Sequence, residues 1–194
     1  MLKIGVLALQ GAFKEHIEII QKLGHQAIEI KTCDTLDIID GLILPGGEST
    51  TIGKLLVDYK IRETLIEQVE NGLPIWGTCA GMILLAKQLN GDNFPHLKLM
   101  SIKVARNAYG RQLDSFVIEK LIPEVSENPI PLVFIRAPLV ISAENNVKIL
   151  AKVREDIVAV RENNMLATSF HPELTNDTSF HQYFIGMIKE RKIL

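Results

Sequence analysis

Short continuous runs of apolar residues alternate with segments of helical apolar spacing in the first half of the chain. Residues 3–9 and 41–44 are runs typical of strands buried in a parallel sheet, and residues 26–31 and 73–76 complete this set of predicted strands. Residues 13–23 carry apolar side chains at 13, 17, 20 and 23, which predicts a helix, as do residues 52–59, 61–70 and 82–86. The alternation predicts an α/β fold with a doubly wound, mostly parallel central sheet and flanking helices.

The segment 97–160 differs, because it consists of short β-rich runs, several of which alternate apolar with polar residues. The runs cover residues 98–105, 114–121, 132–135, 140–143, 147–153 and 157–161. We expect them to form an antiparallel extension of the sheet and its edge. Residues 163–164 predict a turn, residues 165–170 a last core strand and residues 179–191 a C-terminal helix. Without a linker or repeat, residues 1–194 are predicted to be a single domain.

Composition and charge narrow the classes of function. Of the 194 residues, 47% are hydrophobic, and the net charge is −2 with both signs of charge present. This charge gives no electrostatic basis for binding nucleic acid or a membrane surface. No segment approaches the length of a membrane span, and we see no signal peptide. The cysteines, Cys33 and Cys79, form no disulfide framework, and no Cys or His pair has structural zinc spacing. We therefore expect a cytoplasmic protein without a metal site.

Residues 77–81, Gly-Thr-Cys-Ala-Gly, lie between a predicted strand and a predicted helix. This is the pattern of a nucleophile elbow with cysteine as the nucleophile. The strained turn needs neighbours without side chains at minus two and plus two, which Gly77 and Gly81 supply. Cys79 would lie at a helix N-terminus, where the dipole favours the reactive thiolate. The alternative is an unreactive buried cysteine in a glycine-containing turn.

His171, Pro172 and Glu173 follow the last predicted strand. Proline restricts the preceding residue to extended geometry, and in an extended stretch residues two apart point to the same side. We therefore expect Glu173 to orient the imidazole of His171, as in nucleophile–base–acid triads. For a lone His-Pro-Glu the alternative is an ordinary surface strand end. Together with the elbow it predicts cysteine acyl chemistry, with the Ala80 amide and a glycine amide of residues 46–47 as oxyanion donors.

The elbow and the His-Pro-Glu stretch resemble the class I, or triad, glutamine amidotransferases. Four further stretches closely resemble one branch, the glutaminase subunits of pyridoxal 5'-phosphate synthase (the PdxT or SNO family). These are residues 5–12 (G-V-L-A-L-Q-G-A), 44–51 (L-P-G-G-E-S-T-T), 106–116 (R-N-A-Y-G-R-Q-L-D-S-F) and 134–138 (F-I-R-A-P). The match covers essentially the whole chain, with no departure at the triad.

The resemblance implies a hydrolase that converts L-glutamine to glutamate and ammonia through a thioester on Cys79, with His171 as base and Glu173 as its orienter. It implies no cofactor or metal, and a hetero-oligomeric complex in which a synthase subunit uses the ammonia to build pyridoxal 5'-phosphate. It also implies a glutamine site formed by Gly46, Gly47, Glu48, Ser49, Arg106, Ile135 and Arg136, and an oxyanion hole formed by Gly47 and Ala80. Glu48 is a candidate for the substrate ammonium, and either arginine for its carboxylate.

Three alternatives remain open on the sequence alone. The chain could serve another amidotransferase, for imidazole glycerol phosphate, GMP or anthranilate synthesis, although the subunit-specific stretches argue against it. The same triad could hydrolyse γ-glutamyl peptides. A scaffold that only docks onto a synthase would need no triad at all.

Overall fold

The computed structural model describes residues 1–91, 94, 96–106 and 115–193, and all structural statements concern these residues. The strands are β1 (Lys3–Leu7), β2 (Gln26–Ile30), β3 (Gly41–Leu44), β4 (Ile75–Thr78), β5 (Ala86–Asn90), β6 (Met100–Ala105), β7 (Ser115–Lys120), β8 (Ile130–Ile135), β9 (Leu139–Ala143), β10 (Lys148–Val153), β11 (Asp156–Glu162) and β12 (Met165–Thr168). The α-helices are α1 (Phe13–Lys22), α2 (Ser49–Asp58), α3 (Arg62–Glu70), α4 (Ala80–Leu85) and α5 (Ser179–Ile193), and short 3-10 helices cover Cys33–Ile38 and Pro172–Leu174.

Ten of the described strands form one sheet, in the order β2-β1-β3-β4-β12-β11-β9-β6-β5 with β10 beside β11. The block from β2 to β12 is parallel throughout. From β12 onward, the pairings with β11, β9 and β6 are antiparallel. The predicted α/β fold is therefore confirmed, including an antiparallel extension on one side.

Both faces of the parallel block are covered, because its strands alternate between two apolar cores. In β3, Leu42 and Leu44 pack into one core with residues of α2, α3 and α4, whereas Ile43 packs into the other with residues of α1 and α5. In β4, Ile75 and Trp76 divide in the same way. This two-sided burial explains the continuous apolar runs of these strands.

In this part of the fold, one sequence prediction was wrong and another was one residue too long. Residues 82–86 were predicted to be helical, but α4 ends at Leu85 and Ala86 begins β5, which pairs parallel with β6. No β-branched or aromatic residue marks β5, so its strand conformation depends on pairing rather than on propensity. The runs at 114–121 and 132–135 were predicted to extend the sheet, but β7 and β8 form a separate two-stranded sheet, and residue 114 lies outside the described residues.

The position of this hairpin follows from its one apolar face. In β8, Ile130, Leu132 and Phe134 are buried and alternate with partly exposed residues. They belong to the same core as α5, and the Phe134 ring meets the Phe170 ring edge-on at 5.7 Å. The hairpin therefore covers a face of the molecule instead of adding to a sheet edge. Its end at Ile135 and Arg136 lies beside the candidate active site.

Candidate active site

Cys79 lies between the last residue of β4 and the first residue of α4, in a strained conformation with φ 48° and ψ −102°. A Cβ on Gly77 would be 2.4 Å from the carbonyl carbon of Gly81, and a Cβ on Gly81 would be 2.2 Å from the backbone oxygen of Leu44. Neither contact is possible for a real side chain, so both positions require glycine. The elbow geometry predicted from the sequence is confirmed, together with the reason for its two glycines.

The His171 and Glu173 side chains are in contact, as predicted, but the local backbone is not the extended stretch that the sequence suggested. β12 ends at Thr168, and Pro172–Leu174 forms a 3-10 helix. His171 Nδ1 lies 2.7 Å from Glu173 Oε1, and the Glu173 side chain is completely buried. The His171 backbone N–H donates to the carbonyl of Val133 in β8 at 2.8 Å, so His171 is held from two directions.

Space for the His171 ring comes from Gly46, in the loop after β3. A Cβ at this glycine would lie only 2.3 Å from His171 Cε1. The loop itself is fixed by backbone contacts, because the Gly46 carbonyl accepts a 3.0 Å hydrogen bond from Ala12 N–H. Gly11 permits this approach: its φ is 105°, and a Cβ there would be 1.9 Å from the Gly46 oxygen. Gly46 thus acts as a spacer that leaves room for the His171 ring.

Electrostatics favour a charged imidazole. Burial by itself lowers the pKa of His171, but hydrogen bonds and charge interactions with Cys79 and Glu173 outweigh it and raise the pKa to about 10. An imidazolium is therefore stable beside the cysteine sulfur. Cys79 remains 8% exposed, so a substrate can reach it.

These groups face a cavity of about 380 Å³. Its lining residues come from five separate segments of the chain: Gly47, Glu48, Ser49, Cys79, Ala80, Ile83, Arg106, Ile135, Arg136 and His171. The structure thus brings together most of the residues that the sequence singled out. Of the remaining two, Gly46 contacts the His171 ring, and Glu173 lies behind it.

Ile83 is the lining residue that sequence analysis missed. It lies on α4 one turn after Cys79 and is 6% exposed, and the apolar pattern of the helix predicts a core residue at this position. Gln10 lies in the family stretch 5–12 but was not included among the predicted site residues; its side-chain oxygen accepts the Glu48 backbone N–H at 2.7 Å and so helps to hold the loop after β3. Both roles depend on contacts between segments that are distant in the sequence, and the spacing of residues along the chain does not predict such contacts.

Glu48 has protein partners of its own. It is the N-cap of α2, and its carboxylate accepts hydrogen bonds from the backbone N–H groups of Thr50 at 3.2 Å and Thr51 at 2.7 Å. Arg106 Nη2 lies 3.3 Å from Glu48 Oε1. A substrate ammonium would therefore share this carboxylate with Arg106. The family-specific stretch that begins at Arg106 continues through residues 107–114, which lie outside the described residues.

Two further features concern the lining. Arg136 has φ 43°, an uncommon conformation for a side chain of its size, directly after β8. Ala80 is the first residue of α4, so its N–H has no acceptor within the helix. This first N–H group of α4 and Arg136 both belong to residues that line the cavity. None of the helices in the described part of the chain combines the length and the apolar character that a membrane span requires.

Comparison with known proteins finds relatives along nearly the whole chain. The model of the SNO glutamine amidotransferase family matches residues 6–190. The pyridoxal 5'-phosphate synthase subunit PdxT of Clostridium botulinum is 53% identical over 193 residues, which cover 99% of this chain and 100% of that protein. PdxT of Ruminiclostridium cellulolyticum is 55% identical over 189 residues, 97% of this chain and 100% of its own. A crystal structure of a glutamine amidotransferase matches with a TM-score of 0.92 and 43% identity, over 96% of this chain and 98% of that one.

Proposed function

Because the chain belongs to the SNO glutamine amidotransferase family, we propose that it is the glutaminase subunit of a pyridoxal 5'-phosphate synthase. It hydrolyses L-glutamine to L-glutamate and ammonia, and residues 1–194 act as one glutaminase domain. The nucleophile is a thiol that must stay reduced, and both cysteines are free, which supports the cytoplasm as its setting.

One observation carries the proposal: the His171 ring lies between Cys79 and Glu173 at the wall of a cavity of about 380 Å³. In the first step the Cys79 thiolate attacks the side-chain amide carbon of glutamine, and the carbonyl oxygen becomes an oxyanion. The imidazolium of His171 then gives its proton to the leaving ammonia, and a thioester remains. Water attacks the thioester with neutral His171 as base, which releases glutamate and restores the thiolate–imidazolium pair.

The surrounding residues have roles that fit a zwitterionic substrate. The amides of Gly47 and Ala80 are the proposed oxyanion donors, since both residues line the cavity and Ala80 begins a helix. Arg106 and Arg136 are the proposed partners of the substrate carboxylate. The backbone of residues 46–49 and the side chain of Ile135 complete the proposed glutamine site, with Glu48 facing the substrate ammonium.

The partner is a synthase subunit, because the relatives are named as subunits of pyridoxal 5'-phosphate synthase. We propose a hetero-oligomeric complex in which ammonia passes to that subunit without release. A glutaminase that feeds a partner would waste glutamine when alone. We therefore expect the isolated chain to be much less active than the complex.

Replacing Cys79 tests this function. The Cys79→Ala chain, combined with its synthase subunit, is expected to lose ammonia release from glutamine, while synthesis of pyridoxal 5'-phosphate from added ammonium salts continues. The matched control is Cys33→Ala, which removes the other free cysteine and is expected to leave both reactions intact. Ammonia release from glutamine by the Cys79→Ala complex would show that the proposed nucleophile is wrong. Faster turnover of γ-glutamyl peptides than of glutamine by the unmodified complex would favour the peptide hydrolase instead.

A further inference from the structure

A second histidine lies directly behind the proposed triad. His16, on α1, is completely buried, and its Nε2 atom lies 3.4 Å from Oε2 of Glu173, the carboxylate oxygen that does not face His171. Among the described residues, this oxygen has no hydrogen bond of standard geometry. A buried carboxylate oxygen without a donor is costly, and His16 Nε2 is the nitrogen placed to supply one.

The carboxylate decides which nitrogen of His16 carries its proton. A bare lone pair at Nε2 would face the negative Glu173 oxygen and repel it, whereas an N–H there attracts it. Thr78 Oγ1, also 3.4 Å from this nitrogen, can accept a share of the same hydrogen. Nδ1 of His16 is then the unprotonated nitrogen and needs a donor of its own.

His181, on α5, supplies that donor. Its Nε2 lies 2.9 Å from His16 Nδ1, and both rings are almost completely buried beside the Trp76 ring. Nδ1 of His181 has no hydrogen-bond partner among the described residues, which suits a lone pair better than an N–H. The donors therefore run in one direction, from His181 to His16 and from His16 to Glu173.

Both rings are neutral in this arrangement. Burial, followed by the proximity of His181 and His171, holds the pKa of His16 well below its ordinary value. Burial lowers the pKa of His181 to about 3. A neutral donor at His16 adds no second positive charge that would compete with the His171 imidazolium for the Glu173 carboxylate.

We propose that His16 is a positioning residue for the glutaminase reaction: its Nε2–H holds Oε2 of Glu173, so that Oε1 stays aligned with His171 Nδ1. The inference rests on the proposed triad and adds a member that acts only through Glu173. A buried histidine pair that merely fills space between α1, α5 and β4 would not influence the rate in this way.

The first test is the kinetics of His16→Leu in the complex with the synthase subunit. We expect kcat for glutamine hydrolysis to fall roughly 10- to 100-fold, the range that follows from losing one hydrogen bond to a charged group, with KM unchanged. His16→Gln, which keeps an N–H donor, is expected to recover most of the loss. The matched control is Ile20→Ala, one turn further along the same face of α1, which removes buried contacts without touching Glu173 and should keep kcat.

A double-mutant cycle separates positioning from packing. In a Glu173→Ala background, His16→Leu is expected to have no further effect on kcat, because the group through which it acts is gone. An equal fold-loss in both backgrounds, or an unchanged kcat in the His16→Leu chain, would overturn the inference. If His16→Leu does not fold by circular dichroism, His16→Met replaces it with the same expectations. Cys79→Ala is measured in the same assay. If this variant stays active, both the proposed function and the inference fail. If it is inactive while His16→Leu is fully active, only the inference fails.

Discussion

A single methyl group at Gly46 is expected to displace His171, the proposed catalytic base. The Cβ of a Gly46→Ala variant would lie 2.3 Å from Cε1 and 2.9 Å from Nδ1 of His171, whereas ordinary contacts begin at 3.4 Å. The ring must therefore move by about 1 Å, or the loop after β3 must move away from it. The loop is tied to Ala12 by the 3.0 Å hydrogen bond of the Gly46 carbonyl, so part of the shift falls on the ring.

His171 has little freedom to accommodate this shift. Its ring is bonded to Glu173 at 2.7 Å, and its backbone N–H is bonded to the Val133 carbonyl at 2.8 Å. A displacement of about 1 Å at a reacting group costs on the order of 100-fold in rate. Overpacking of this kind also destabilises a fold by about 1–3 kcal/mol. We therefore expect Gly46→Ala to fold with a lowered melting temperature and to lose about 100-fold in kcat.

The assay is steady-state ammonia release from glutamine by the variant in complex with its synthase subunit, with thermal unfolding measured on the same preparation. Gly186→Ala is the matched control, because a Cβ at this position in α5 meets no atom within 4 Å. It is expected to keep full activity and to gain up to about 1 kcal/mol from helix propensity. A folded Gly46→Ala variant with the kcat of the unmodified chain would refute the spacer role of Gly46.

Other variants probe the charges around the site. Glu173→Gln should lower kcat by roughly 100-fold or more with little change in KM, because it disturbs the tautomer of His171 rather than the pocket; unchanged turnover would count against the triad. Arg106→Ala and Arg136→Ala should each raise the KM for glutamine by roughly tenfold or more, from losing a charged hydrogen bond, and an unaltered KM in both would exclude them as carboxylate partners. The pKa of His181 is lowered from 6.5 to about 3, so the unfolded chain binds the extra proton between these values and stability is lost as pH falls through this window, by about 1.4 kcal/mol per pH unit. In urea unfolding between pH 7 and 4.5, His181→Phe should therefore reduce the loss of unfolding free energy as the pH falls. An identical pH dependence in the variant would contradict the lowered pKa of His181. The pKa of His171 is raised to about 10, so its contribution to stability is full below pH 6.5 and disappears toward pH 10.

Most of the fold could be predicted because burial and backbone conformation leave local marks. The apolar runs of β1 and β3 correspond to strands covered on both faces, and the spacing in α1 corresponds to a helix with one buried side. The strand β5 shows the limit, since its residues carry no such pattern and its conformation is imposed by β6. The sequence predicted the two strands β7 and β8, but it did not predict that their hairpin covers a face of the molecule.

The same division holds for the active site. The strained turn at Cys79, the proposed nucleophile, could be found locally, because such a turn admits only small neighbours and Gly77 and Gly81 meet that requirement. The family assignment, which also came from sequence motifs, was confirmed by relatives across nearly the whole chain. The contact between His171 and Glu173 was predicted correctly, although a 3-10 helix rather than an extended strand produces it.

The amino-acid sequence by itself thus determined the class of fold, the strained cysteine and the family, because each of these leaves its pattern within a few neighbouring residues. Only the tertiary structure decided what surrounds them. Gly46 as a spacer for His171 joins positions 125 residues apart, and the pair His16 and His181 joins positions 165 apart. Such pairs meet because parallel strands end at one edge of the sheet and the helices α1 and α5 share one face of it. Strand order and packing create these contacts, and no local pattern encodes them.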